Sequence, residues 1–159
     1  MKPLVQTPSQ TVGPFFSIGL CREHQNVLAA RDAAGERVRI EGIVFDGARA
    51  PVPDAMLEVW HPSIGFGRAA TNPHGEFRFE TARPPYFNVI VFARGMLVHA
   101  FTRVYFSDEA RNADDAVLQS VDPARRATLI GEREDLDGRP VYQWNIRLQG
   151  DGETVFFDL

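Results

Sequence analysis

From Val38 the chain alternates in character. Val38, Ile40, Gly42 and Val44 stand at every second position, with Arg39, Glu41 and Ile43 between them. That period of two predicts a half-buried β-strand. A turn-rich stretch, residues 46–54, leads to a second run, Ala55-Met56-Leu57-Glu58-Val59-Trp60. Asn72-Pro73-His74-Gly75 predicts a turn into the strand Phe77-Arg78-Phe79-Glu80. Phe87 to Ala93 is nearly all apolar, which predicts a strand buried on both faces. Leu97 to Phe106, Val141 to Leu148 and Thr154 to Phe157 read as further strands. Helix signals are confined to two short pieces. Ser107-Asp108-Glu109 offers an N-cap with acids in a first turn, and Asp122-Pro123 repeats that logic with proline at the first helical position.

This pattern predicts an all-β fold, a β-sandwich of about eight strands with short helices over one end. No repeat or linker divides the chain, so residues 1–159 are expected to form one domain, with 37–159 as the sandwich. Residues 1–36 are irregular, broken by Thr7-Pro8, Gly13-Pro14 and Gly19, yet carry an apolar centre of Val12, Phe15, Phe16, Ile18 and Leu20. They are expected to form an N-terminal arm that packs on something, such as another subunit. Trp60, Phe77 and Trp144 are assigned to the core.

Composition narrows the function classes. With 44% hydrophobic residues, including 12 Phe and 2 Trp, the chain can fill a core, which excludes disorder. Its 17 basic and 21 acidic residues leave a net charge of −4, so there is no basic footprint for nucleic acid. No apolar run approaches the ~18 residues of a membrane helix. The opening MKPLVQTPSQ has no apolar leader core, and the expected location is the cytoplasm.

The obvious chemistries find no constellation. His24, His61, His74 and His99 lie in separate segments without a His-x-His pair. His61 and His74 read as solvated turn residues, and His99 as a structural mid-strand residue on the face of Phe101, Arg103 and Tyr105. Cys21 has no base beside it, and no Gly-x-Ser-x-Gly elbow or Gly-rich phosphate loop occurs. Asp114-Asp115 and Glu134-Asp135 read as solvated surface. On the residues alone, the sandwich has no self-contained active site.

Two stretches are more specific than their composition: Thr7-Pro8-Ser9-Gln10-Thr11-Val12-Gly13-Pro14-Phe15-Phe16, and Gly42 to Gly47 through Pro51-Val52-Pro53-Asp54-Ala55 to Leu57-Glu58-Val59-Trp60. With Phe66 to Thr71, Gly75 to Phe79, Phe92-Ala93-Arg94-Gly95, Thr102 to Phe106, Ile146 to Gly150 and Gly152 to Asp158, they resemble the intradiol ring-cleavage dioxygenases over nearly the whole chain. Within that family the last four segments look like the α subunits of protocatechuate-cleaving members. The family's catalytic subunits hold a ferric ion with two tyrosines and two histidines, and this chain departs from that pattern. The insertion that carries the first tyrosine is missing between Trp60 and Phe66, and Tyr86 and Asn88 fall where the two histidines would align.

The resemblance therefore implies a non-metallated subunit with no catalytic residue and no metal ligand of its own. Fe(III) is expected in a partner β subunit. The implied reaction is O₂ insertion into protocatechuate between its two hydroxylated carbons, giving β-carboxy-cis,cis-muconate. The matching arm residues Thr11, Gly13 and Pro14 are expected to help wall the partner's substrate pocket. Arg94 is expected to orient the substrate carboxylate through charge-assisted hydrogen bonds, or else to form an interfacial salt bridge. Two other readings stand beside this one: a transthyretin-like scaffold or binding module, and a shortened enzyme with a site rebuilt from Tyr86 and His99.

Overall fold

The computed structural model describes residues 15–28 and 35–158. A short helix α1 (Phe15–Leu20) is followed by β1 (Arg37–Phe45), β2 (Met56–His61), β3 (Gly65–Ala70), β4 (Glu76–Ala82), β5 (Tyr86–Phe92) and β6 (Ala100–Phe106). A 3₁₀ turn (Ala110–Ala113), α2 (Ala116–Ser120) and a second 3₁₀ turn (Arg126–Leu129) cross one end. They lead to β7 (Ile130–Leu136), β8 (Arg139–Gln143) and β9 (Ile146–Arg147). Hydrogen bonding runs β3-β2-β5-β6-β7-β8-β1-β4, with β9 beside β1. β7 pairs in parallel with β6 and antiparallel with β8, so it joins the two halves of the sandwich. The all-β expectation holds.

β1 buries Val38, Ile40, Gly42 and Val44, as its alternation predicts. These residues meet Leu57, Val59, Phe77, Phe79, Phe87, Val89 and Val104 in one core. β5 differs from expectation. Phe87, Val89 and Val91 point inward, but Tyr86, Asn88, Ile90 and Phe92 are only half-buried, because the described residues leave that face of the half-sheet largely uncovered. Trp60 lies on the same uncovered side and is 47% exposed, so it is not a core residue; Phe77 and Trp144 are.

Other boundaries moved for local reasons. β3 and β7 were not foreseen, since Gly65-Phe66-Gly67-Arg68 and Glu132-Arg133-Glu134-Asp135 mask their pairing with polar or missing side chains. Leu97, Val98 and His99 are exposed and precede β6 rather than belonging to it. The run 141–148 is two strands, interrupted at Trp144-Asn145. Residues 154–157 form no strand; they meet β6 through a bridge from Phe157 to Phe101 and a hydrogen bond from Thr102 Oγ1 to Val155 O at 2.7 Å. Glu109, expected as a first-turn acid behind a Ser107 cap, is itself the cap of the first 3₁₀ turn; Asp122 forms a turn, and the cap of the second is Arg125, with no side-chain bond.

The interruption at Trp144 is imposed by Gly42. A Cβ on Gly42 would stand 1.9 Å from the Trp144 carbonyl oxygen, so only glycine admits that approach. Trp144 N donates to Glu41 O at 2.8 Å, and Ile43 N donates to Asn145 Oδ1 at 2.9 Å. The crossing from β8 to β9 is thereby bonded across β1. The indole packs edge-on to Phe77 and donates to Thr128 O at 3.0 Å.

Residues 22–28 strap the two outer strands together. Arg68 N on β3 donates to Gln25 O (3.0 Å), Glu80 N on β4 to Asn26 O (2.8 Å), and Leu28 N to Glu80 O (2.9 Å). Leu28 also covers Gly67, where a Cβ would meet its Cδ1 at 2.5 Å. The expected arm is thus tied into the sandwich over this stretch.

At the end crossed by the helical turns, the buried Tyr142 hydroxyl donates to Asp108 Oδ1 at 2.8 Å and accepts from Arg83 Nη1 at 2.8 Å. Arg133 joins Asp108 (3.1 Å) and Glu36 (2.9 Å) to the same cluster. Hydrogen bonds from Arg111 hold Glu109 at a pKa of about 2, below its ordinary 4.5. Its ionised form stabilises the fold fully above pH 4.5, and that contribution is lost as pH falls toward 2.

Two outcomes follow. Gly42→Ala is expected to cost about 3 kcal/mol or more, read from denaturant unfolding, because the carbonyl in its way belongs to backbone. Glu109→Gln is expected to melt below wild type at pH 6, and the two melting curves should converge between pH 4.5 and 2.

Candidate functional site

Alternation on β5 and β6 builds the site. The antiparallel register sets Tyr86 opposite Tyr105 and Asn88 opposite Arg103. Arg103 Nε donates to Asn88 Oδ1 at 2.9 Å, and its guanidinium carbon stands 4.3 Å from the Tyr86 ring centroid. Nη1 donates to the Tyr105 hydroxyl at 3.3 Å and lies 4.0 Å from Asp115 Oδ2. Tyr105 in turn donates to Asp115 Oδ1 at 2.8 Å, and the same oxygen caps α2 by accepting from Leu118 N at 2.8 Å. Asp115 is therefore a bound, mostly buried acceptor and not solvated surface.

Burial, together with the hydrogen bond given to Asp115, pushes the Tyr105 phenol up to about 12. It stays neutral at physiological pH. His61 is also not the solvated turn residue expected. It closes β2, is 8% exposed, and sits edge-on to Tyr86 at 5.3 Å. Its Nδ1 accepts from Ser63 N at 3.2 Å, while burial and then the Arg111 charge lower its pKa. A neutral imidazole results.

These residues do not fit a ferric ion. The positions that the resemblance gives to histidines hold an amide and a phenol, and a guanidinium that cannot be deprotonated lies across both. Tyr105 spends its proton on Asp115 and offers no phenolate. The rebuilt Tyr86–His99 site is also overturned. Tyr86 pairs at one end of the β5–β6 ladder, while His99 precedes Ala100, which pairs with Val91 at the other. His99 is exposed, edge-on to Phe101 at 4.6 Å. Among the described residues no three His, Cys, Asp or Glu side chains converge.

Outward from Arg103 the sheet face is apolar. Trp60, Phe66, Ile90, Phe101 and Phe157 line a groove of about 710 Å³ that includes Asn88 and Arg103. Trp60 and Phe66 are about half exposed, and Leu97 and Val98 beyond the end of β5 are more so. Arg94 lies in the turn that ends β5, where Met96 N donates to Ala93 O at 3.2 Å. Its Nε stands 3.2 Å from Asp54 Oδ2, and its side chain is 63% exposed. Thr11, Gly13 and Pro14 lie outside the described residues. The structure therefore locates only Arg94 of the four expected substrate-facing residues.

Comparison with known proteins settles the relationship. The protocatechuate 3,4-dioxygenase alpha chain of Burkholderia cepacia is 43% identical over 197 aligned positions, which cover all of both chains. The chain belongs to the family of protocatechuate 3,4-dioxygenase alpha chains. The beta chain from the same organism is 25% identical over 169 positions, covering 82% of this chain and 72% of that one. No family model matches. Among solved structures, the dioxygenase domain of a dioxygenase–carbohydrate-binding fusion from Streptomyces sp. SirexAA-E superposes with a TM-score of 0.63 at 21% identity. That match covers 79% of this chain and 87% of that domain, and it supports the intradiol dioxygenase fold.

This member of the alpha-chain family is short. The alignment with the Burkholderia cepacia chain spans 197 positions against 159 residues here, so 38 of them are gaps in this chain. Sequence reading missed Arg103 because its partners, Asn88 and Asp115, lie 15 and 12 residues away and no motif marks them. The available signal was a lone arginine in an otherwise uncharged strand, two residues before Tyr105. Arg103→Met is expected to lower stability by about 2 kcal/mol in denaturant unfolding, because it leaves Asn88 Oδ1 without this donor and removes the cation beside Asp115. Arg103→Lys should recover little, since a point charge cannot replace the planar fork.

Proposed function

We propose that the chain serves as the iron-free α subunit of a protocatechuate 3,4-dioxygenase, paired with a β subunit that holds Fe(III). The observation that carries this reading is end-to-end similarity to an alpha chain, well above the similarity to the beta chain of the same organism. The Arg103 guanidinium between Tyr86 and Asn88 supports it, because those two positions, where the resemblance expects histidines, face a fixed cation instead. The exposed apolar face of Trp60, Phe66, Leu97 and Val98 is of the kind that a subunit covers on assembly. The cytoplasm is the proposed location, in keeping with the absence, among described residues, of a helix long and apolar enough to cross a membrane.

In the reaction, both atoms of O₂ enter protocatechuate, the bond between the hydroxylated carbons breaks, and β-carboxy-cis,cis-muconate forms. Bound ferric iron supplies the redox chemistry with O₂. This chain binds and orients. Thr11, Gly13 and Pro14 contribute a wall of the pocket, where Gly-Pro combines close backbone approach with a fixed bend. Arg94 presents a guanidinium to the substrate carboxylate.

Purification tests the assignment of iron. The chain alone is expected to be colourless, and the co-expressed complex red from tyrosinate bound to iron; stoichiometric iron in the lone chain overturns the reading. Within the complex, Arg94→Ala is expected to raise KM for protocatechuate about 10-fold or more, the worth of one charge-assisted hydrogen bond. An unchanged KM at low and high salt removes Arg94 from the pocket.

A further inference from the structure

Asp54 is an unusual carboxylate. It follows Pro53 at the entry to β2, and its side chain is only 12% exposed. Both of its oxygens are shielded from solvent and neither has a hydrogen-bond partner among the described residues. Among the described residues its charge is met by a single ion pair, with Arg94 Nε at 3.2 Å.

The backbone around it is clamped. Thr71 Oγ1 accepts from Ala55 N at 2.9 Å and donates to Val52 O at 2.8 Å, so one hydroxyl fixes the residues on both sides. Thr71 N also donates to Ala55 O at 2.9 Å. Asp54 is therefore held by the start of β2, whereas Arg94 hangs on a turn with Gly95 at φ +85°.

Stability does not account for this pairing. An ion pair with a well-exposed arginine contributes little, and a carboxylate withdrawn from water without hydrogen bonds is costly. The arrangement instead suits orientation. A guanidinium is a rigid planar fork, and the charge of a fixed carboxylate beside Nε restricts where that fork lies while its side chain stays 63% exposed.

We propose that Asp54 is a positioning residue that aims Arg94 at the substrate carboxylate, an inference that rests on the substrate role given to Arg94 above. Preorganising the arginine lowers the ordering cost of binding without touching the bond-breaking step. Its effect is confined to ligands that carry a carboxylate.

The test uses the assembled αβ enzyme with protocatechuate and with catechol, which lacks the carboxylate. Asp54→Asn, nearly isosteric, is expected to raise KM for protocatechuate about 5-fold, with the loss falling in KM and not in kcat, and to leave kcat/KM for catechol within 2-fold of wild type. Added to Arg94→Ala it should raise KM no further, because it acts through that residue. Asp54→Ser provides the same readings if the asparagine variant fails to assemble. A KM rise shared equally by catechol, or one that adds to Arg94→Ala, overturns the proposal. So does an unchanged KM in Asp54→Asn where Arg94→Ala raises it, a result that leaves the role of Arg94 standing. If Arg94→Ala itself leaves KM unchanged, the substrate role of Arg94 fails and the positioning role with it.

Discussion

The Trp144 carbonyl lies so close to Gly42 that no side chain fits between them, and much of the molecule depends on that approach. It lets the chain cross from β8 to β9 while staying bonded to β1. It also sets the indole against Phe77 and under Thr128 O. Thr128 Oγ1 then accepts from Val155 N, and Val155 O accepts from Thr102 Oγ1 on β6. Through these bonds the C-terminal residues are laid along β6, with Phe157 bridged to Phe101 in the wall of the apolar groove. A missing Cβ in the middle of one half of the sandwich thus shapes the outer surface of the other.

The fold was legible where burial alone chose the residue. β1 alternates because one of its faces fills the core, and Asn72 to Gly75 is a turn because Gly75 takes φ +75°. Legibility failed where a residue answered to something else. Trp60 carries the bulk of a core residue but belongs to an uncovered face. His61 looked like part of a solvated turn before Pro62, yet closes β2 behind Tyr86. β7 is so charged that its period disappears, although Asp137-Gly138, both at positive φ, mark its hairpin with β8. Of the site, the resemblance located Tyr86, Asn88 and Arg94. The cation that joins Asn88 to Tyr86 emerged only once the strands were in register.

Arg103 shows how one partly buried cation organises a sheet face. Its surroundings suit a planar donor: an amide oxygen, an aromatic face and a carboxylate. Asp115 binds this cluster to the start of α2, so the same carboxylate serves the pocket and the helix. The polar cluster and the apolar groove are continuous, so Asn88 and Arg103 share one surface with Trp60, Phe66 and Phe101.

The strap formed by residues 22–28 has a wider consequence. By bonding to both β3 and β4, it occupies edges where any extended peptide could otherwise add a strand. Recognition is thereby diverted from main-chain atoms, which every polypeptide possesses, to the shapes and charges of an uncovered face. Association written in side chains can be revised one substitution at a time.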